Sequence, residues 1–156
     1  MSDLSSARIF IEIVETPIEA DRVRTFVAGD PACGGICTFE GATRADTEAA
    51  HGRVIRLEYE AYDGMARGQM RRLAEVALHR WGPGRVAMVH RSGAVEVGAV
   101  SVMIAFACGH RDAAFAACRW LIDALKRDVP IWKRDVYEDG TRRWVAPTAG
   151  DDPGAA

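Results

Sequence analysis

The chain has 156 residues, of which 49% are apolar and 27% charged, with a formal net charge of −2. Those values describe an ordinary globular domain with room for a real core. They exclude a general nucleic-acid binder, which carries a strong basic excess, and no run approaches the roughly 20 apolar residues of a membrane span.

Arg8 to Glu15, "RIFIEIVE", is rich in β-branched residues and predicts a strand. In "TPIE", Thr16 is placed to cap a helix, Pro17 suits its first position and Glu19 completes a capping box, so a helix is expected to run to about Ala28. "GGICTFEGATR" predicts a strand entered and left at glycines, and "ADTEAAHG", Ala45 to Gly52, a mobile loop. "RVIRLEYEAY" alternates apolar and charged residues as a half-buried strand does. A helix then opens at Asp63-Gly64 and runs to about Trp81, with Met65, Leu73, Val76, Ala77 and Arg80 near one face. "RVAMVHR" and "AVSVMIAFACG" predict two strands separated by "SGAVEVG"; the second is almost wholly apolar and should be central. The last long helix is "RDAAFAACRWLIDALKRD". "IWKRDVYEDGTRRWV" predicts a hairpin about Asp139-Gly140.

The resulting order, β-α-β-β-α-β-β-α-β-β, implies an α+β fold with a mixed, mostly antiparallel sheet and three main helices. A single domain over residues 1–146 and a flexible tail over 147–156 are expected. The four cysteines, Cys33, Cys37, Cys108 and Cys118, form no metal-ligand spacing and predict small buried hydrophobes rather than a zinc site. "MSDLSSARIF" lacks the basic and apolar regions of a signal peptide, which predicts a cytoplasmic, reduced protein. No phosphate-binding glycine loop occurs, so any phosphate must be held by side chains or a helix start.

Three segments carry candidate chemistry. In the last helix, Phe115, Cys118, Leu121, Ile122 and Leu125 make one apolar stripe, with Lys126 on its border and Arg127 further toward solvent. That helix must end near Asp128, because Val129 precedes Pro130 and is pushed to extended geometry. In the strand that follows, Ile131 and Lys133 point one way and Trp132 and Arg134 the other. A fold-back of that strand would bring Lys133 toward Lys126. Two amines in one apolar pocket would disfavour each other's charge and make one a usable base or nucleophile. The competing account is two snorkelling surface lysines. Second, His110-Arg111 stands at a helix start, a place suited to an anion, or equally to a capping turn with an exposed Arg. Third, Arg44 follows a strand exit at Gly41. His51 and His79 are given no role.

Beyond these residues, "TFEGATR", "LEYEAYDGM", "VHRSGAVEVG", "GHRDAAF", "LKRDVPIWKRD" and "RRWV" occur in an order and spacing that resembles the MoaE family, the large catalytic subunits of molybdopterin synthase, from about Ile9 to Val145. The resemblance implies an α/β-hammerhead type of α+β fold and a homodimer. Each large subunit would bind a small ubiquitin-like sulfur carrier, making a heterotetramer. It implies sulfur transfer from the carrier's C-terminal Gly-Gly thiocarboxylate to cyclic pyranopterin monophosphate, forming the dithiolene of molybdopterin, with no metal and no cofactor. By the same resemblance Lys126 is the central catalytic residue and Lys133 its support. Ala42, Thr43, Arg44, His110, Arg111, Arg134 and Asp135 bind substrate, with His110 and Arg111 reaching across the dimer. Phe39 and Arg143 lie near the pocket or carrier channel.

Ala42 stands where some members have Lys, Cys108-Gly109 where Ser-Ala is common, and Asp135 where Glu is frequent. A cyclic phosphate and a thiocarboxylate are both anions, so Arg and His clamps are chemically apt. An apolar plug around Trp132 would limit water that could hydrolyse the thiocarboxylate. Lys126 could attract these anions, transfer protons, or attack the carrier's acyl group. Two other readings of the same residues stay open: a non-catalytic phosphate- or nucleotide-binding module, and an interaction domain.

Overall fold

The computed structural model describes residues 7–145; the expected tail over 147–156 lies outside them. Its elements are β1 (Ile9–Val14), α1 (Ala20–Val27), β2 (Gly35–Ala42), β3 (Thr47–Glu48), β4 (Gly52–Ala61), α2 (Asp63–Trp81), β5 (Gly84–Arg91), β6 (Gly93–Glu96), β7 (Val100–Cys108), α3 (Arg111–Asp128), β8 (Ile131–Tyr137) and β9 (Arg142–Trp144). Four strands form one sheet in the order β1-β5-β7-β2, and a second follows the order β3-β4-β8-β9 with β6 also paired to β4. The β1–β5 pair is parallel and the other pairs are antiparallel. The fold is therefore α+β, as the element order implies.

Strict alternation builds the core on both faces of the first sheet. Val86 and Met88 of β5, with Ile104, Phe106 and Cys108 of β7, pack against α2 and α3. The intervening Ala87, Val89, Met103, Ala105 and Ala107 face α1 through Val23 and Val27. The apolar strand β7 is central, between β5 and β2.

Several local expectations are corrected. Helix α1 begins at Ala20, capped at Glu19 without a side-chain bond, so Thr16 and Pro17 precede the helix rather than open it. Ile18 packs with the α1-facing cluster, and that burial holds the "TPIE" segment out of helical geometry. The buried face of α2 is Ala66, Met70, Ala74 and Ala77, while Met65 and Val76 are exposed. Small residues let α2 approach the sheet and α3 closely, and that close packing outweighs the larger apolar side chains. On α3 the stripe shifts toward Ala114, Ala117 and Ala124, and Phe115 is 64% exposed. The expected loop over Ala45 to Gly52 contains β3, and the expected connector "SGAVEVG" contains β6. Both short strands satisfy their backbone groups on β4, a partner that local sequence cannot announce.

The hairpin at Asp139-Gly140 forms as expected: Gly140 takes a φ of +88°, and the Thr141 amide donates to Asp139 Oδ1 at 2.8 Å. Helix α3 stops at Asp128, with Val129 extended ahead of Pro130. The Tyr62 amide then donates to the Pro130 carbonyl at 3.2 Å, tying the start of β8 to the end of β4.

Candidate functional site

Because β7 and α3 run antiparallel, the C-terminal end of α3 returns to the start of β7. Lys126 therefore lies toward the start of β7, and its charge lowers the His90 pKa a little further than burial alone. Helix packing directs Leu125 inward and leaves Lys126, Arg127 and Asp128 exposed. Arg127 pairs with Asp128 at 3.0 Å, whereas Lys126 makes no side-chain hydrogen bond or ion pair among the described residues. The two members of the first basic pair thus differ in their partners, although both are exposed rather than separated toward core and solvent as helix phase suggests.

Lys133 reaches the same end from β8. It lies directly across from Tyr59 of β4, so the two side chains share a face of the second sheet. Its ammonium group likewise has no hydrogen-bonded partner among the described residues. Ala61 and Ile131, also on that face, pack against the main core, which turns this face toward α3 and the first sheet.

His90 and Tyr59 pack together between the two sheets near Lys133, and sequence reasoning assigned neither a role. The rings meet edge-on with centroids 5.0 Å apart. His90 is only 5% exposed, and its Nδ1 lies 2.7 Å from the Arg91 carbonyl, so that nitrogen carries the proton and donates. Tyr59 hydrogen-bonds Ser101, whose hydroxyl donates to the Gly41 carbonyl at 3.2 Å. The available signal was a histidine ending the apolar run of β5 and a tyrosine within "LEYEAY"; neither reveals a pairing that depends on strand register.

Burial pushes the His90 imidazole down to about 4; the Arg91 carbonyl opposes that shift and the Lys126 charge adds to it. His90 is thus neutral at pH 7. A histidine depressed in the folded state contributes stability that is complete above its unfolded value of about 6.5 and is lost as pH falls toward the folded value. Urea unfolding is therefore expected to show a loss of stability between these two values that is shallower in His90→Phe. Identical slopes in the two proteins would contradict the assignment.

The remaining predicted residues divide between two ends of the molecule. Ala42, Thr43 and Arg44 leave β2 opposite the start of β7, at the Lys126 end. Thr43 is 2% exposed, with its amide on the Ala99 carbonyl at 3.0 Å and its Oγ1 without a partner among the described residues. Arg44 is exposed and held by Asp46 at 2.7 Å. Phe39 is 39% exposed on β2. Arg134 projects from the opposite face of β8 to Lys133, is paired with Glu58 at 2.7 Å and covers the Trp144 ring at 5.2 Å. Asp135 and Arg143 are cross-strand neighbours beside Tyr137: the phenol donates to Glu48 at 2.8 Å with Asp135 Oδ2 further off at 3.4 Å, and Arg143 Nη2 donates to the phenol oxygen at 2.9 Å and also bonds Glu48.

His110 and Arg111 lie at the far end of α3. His110 caps the helix in extended geometry without a side-chain bond. The turn packs onto the glycine entrance of β2, where a Cβ on Gly35 would stand 2.8 Å from the His110 carbonyl carbon. His110 also borders a cleft of about 390 Å³ lined by Arg8, Asp30, Trp81 and Pro83. At ~1.5 Å rise per residue, Arg111 is about 22 Å along the helix from Lys126. One copy of the chain therefore does not bring the HR pair to the lysines. No group of three or more residues suited to hold a metal ion occurs among the described residues, and no helix among them is long and apolar enough to cross a membrane.

Known proteins resemble this chain in sequence and in fold. The model of the MoaE protein family matches residues 13–128. The molybdopterin synthase catalytic subunit of Nostoc sp. is 36% identical over 143 residues, covering 91% of this chain and 85% of that protein. The crystal structure of molybdopterin synthase from Staphylococcus aureus superposes with a TM-score of 0.81 at 31% identity, covering 86% of this chain and 96% of that one. The complex of subunits 1 and 2 of molybdopterin-converting factor from Helicobacter pylori shares the fold, with a TM-score of 0.71 at 18% identity over 86% of this chain and 89% of that one.

Proposed function

This chain belongs to the MoaE family of molybdopterin synthase catalytic subunits, and from that premise we propose that it is a sulfurtransferase. It takes sulfur from the C-terminal thiocarboxylate of a small Gly-Gly-ended carrier protein and delivers it to cyclic pyranopterin monophosphate, forming the dithiolene of molybdopterin. The observation that carries this reading is that Lys126, from α3, and Lys133, opposite Tyr59 on β8, lie toward the same end of the molecule, with neither ammonium group committed to a carboxylate among the described residues. Uncommitted cations beside a largely apolar wall attract a thiocarboxylate and a phosphate more strongly than the same charges in open water. Lys126 supplies charge and proton transfer where the sulfur meets the pterin, and Lys133 supports it. Thr43 and Arg44 bind the substrate from the β2 exit, Arg44 exchanging Asp46 for phosphate.

Two copies of the chain form the working unit, with a carrier on each. The separation along α3 supports this: a substrate at Lys126 meets His110 and Arg111 only from a second copy. The carrier assignment is supported by the fold shared with a protein solved as a two-subunit complex. A reducing, cytoplasmic setting suits both a thiocarboxylate and four free cysteines.

The direct test mixes the purified protein, thiocarboxylated carrier and cyclic pyranopterin monophosphate. Molybdopterin is expected to form, with two carriers consumed per product. Absence of product, together with tight binding of generic phosphates in the absence of carrier, would favour a phosphate-binding module instead.

A further inference from the structure

We propose that two copies of the chain join through the outer edge of β2, which pairs antiparallel with its own copy about a two-fold axis at Phe39. This rests on the reading that Lys126 and Arg111 serve one substrate, and it names the surface that brings them together. β2 ends its sheet, and no strand among the described residues pairs with its outer edge. The strand is 8 residues long, holds no proline or lysine, and exposes Ile36 by 47% and Phe39 by 39%. A long, partly apolar strand edge of this kind is a template for pairing with another chain. Helix α2 covers β1 and β5, while α3 covers β7 and β2. On α3, steps of four and eleven residues return to within about 40° of one line, so Arg111, Phe115 and Lys126 share a flank. Trp120 stacks on Trp81 of α2 with ring centroids 5.7 Å apart, so the flank of Phe115, 64% exposed, is turned toward the β2 edge.

The levels along that edge match the site. β2 and α3 both run antiparallel to β7, so they run parallel to each other. Their starts coincide: a Cβ on Gly35 would stand 2.9 Å from the Arg111 nitrogen. Their middles coincide as well: Cys118 Sγ lies 3.9 Å from the Ile104 carbonyl, and Ile104 pairs with Phe39. Midway between Arg111 and Lys126 is the turn of Cys118 and Arg119. A two-fold axis at Phe39 reverses one copy against the other, so Arg111 of one copy arrives level with Lys126 of the other. With strands ~4.8 Å apart and α3 seated over β7 and β2, the two helices come to about 10 Å, a normal packing distance. Phe39 shares the α3-facing side with Ile104, and the two Phe39 rings make a cross-strand aromatic pair beneath the helices. A seam at the other edge of the sheet, β1, puts α2 of both copies between the two α3 helices and leaves each site incomplete.

Charges on the strand test both the surface and the axis. With the axis at Phe39, Thr38 lies across from Glu40 of the other copy. Thr38→Asp therefore sets like charges together, while Thr38→Lys sets opposite ones. Val76→Asp places a carboxylate on α2, at a side chain 45% exposed, as the control. By sedimentation, the parent, Thr38→Lys and Val76→Asp are expected to be dimers that make molybdopterin. Thr38→Asp is expected to dissociate, its dimer constant weakened about a hundredfold by the like-charge clash, and to lose turnover with it. Thr38 is exposed in the single chain, so the circular dichroism of Thr38→Asp should match the parent's. A monomeric parent, a dimeric Thr38→Asp, or two monomeric Thr38 variants would overturn the proposal. Hydrogen exchange on the parent decides the matter even where Thr38→Asp fails to fold: alternate β2 amides should lose protection on dilution, and β2 protection independent of concentration would count against the seam. The oligomeric readout is independent of the chemistry. A monomeric Thr38→Asp in a protein that makes no molybdopterin keeps the seam and removes the sulfurtransferase reading. A dimeric Thr38→Asp with parent-level turnover removes the seam alone.

Discussion

Lys126→Ala is expected to lose dithiolene formation by about 10²–10⁴-fold, the usual loss for a positioned proton-transfer or charge-stabilising group, while folding and binding carrier normally. The separation of effects follows from the surroundings of Lys126. Its side chain is exposed and unpaired among the described residues, so truncation opens no cavity and strands no buried charge. Surface changes of that kind alter stability by about 0.5 kcal/mol or less. The neighbouring Arg127→Ala provides the control: it lies on the same turn, is turned toward Asp128, and should leave turnover unchanged. Circular dichroism melts, a carrier pull-down and single-turnover product formation measure the three quantities. Parent-level product from Lys126→Ala would end the catalytic assignment.

Arg111→Ala is expected to fail in the same assay, and yet to be rescued by chains carrying Lys126→Ala. The reason is the ~22 Å of helix between the two residues, too far for one small substrate to touch both within one copy. In the two-copy unit proposed above, each site would take Lys126 from one copy and Arg111 from the other. A mixed dimer of the two variants therefore has one intact site and one doubly damaged site. Isolated with two different affinity tags, it should regain about half the parent rate, one site of two, while either variant alone stays inactive. A mixed dimer as inactive as its parents would show that each site is complete within one chain.

Much of the scaffold was readable from pattern. The apolar run of β7 identified the central strand, Pro130 ended α3 at Asp128, and Asp139-Gly140 marked its hairpin. The misread parts share one cause. The Thr16 capping signal is local, but Ile18 is drawn into the α1-facing core. Met65, Val76 and Phe115 are apolar, but alanines occupy the close contacts of α2 and α3. Strands β3 and β6 exist because β4 offers them unpaired backbone. Each outcome was decided by a partner distant in the chain.

The candidate site divides in the same way. Helix phase set Lys126 nearer the apolar stripe than Arg127, but the structure exposes both; strand alternation set Lys133 apart from Arg134, and the Glu58 pairing of Arg134 bears that out. The motifs by themselves also pointed to the family that the comparisons show. What only the tertiary structure decided is which groups meet. Strand register puts Tyr59 opposite Lys133, the antiparallel return of α3 puts Lys126 toward the start of β7, and the length of the same helix carries His110 and Arg111 away from that end. Periodicity is a property of neighbours along the chain and can be read there. Register and helix docking depend on burial shared between distant segments, and they take a definite value only once those segments pack together.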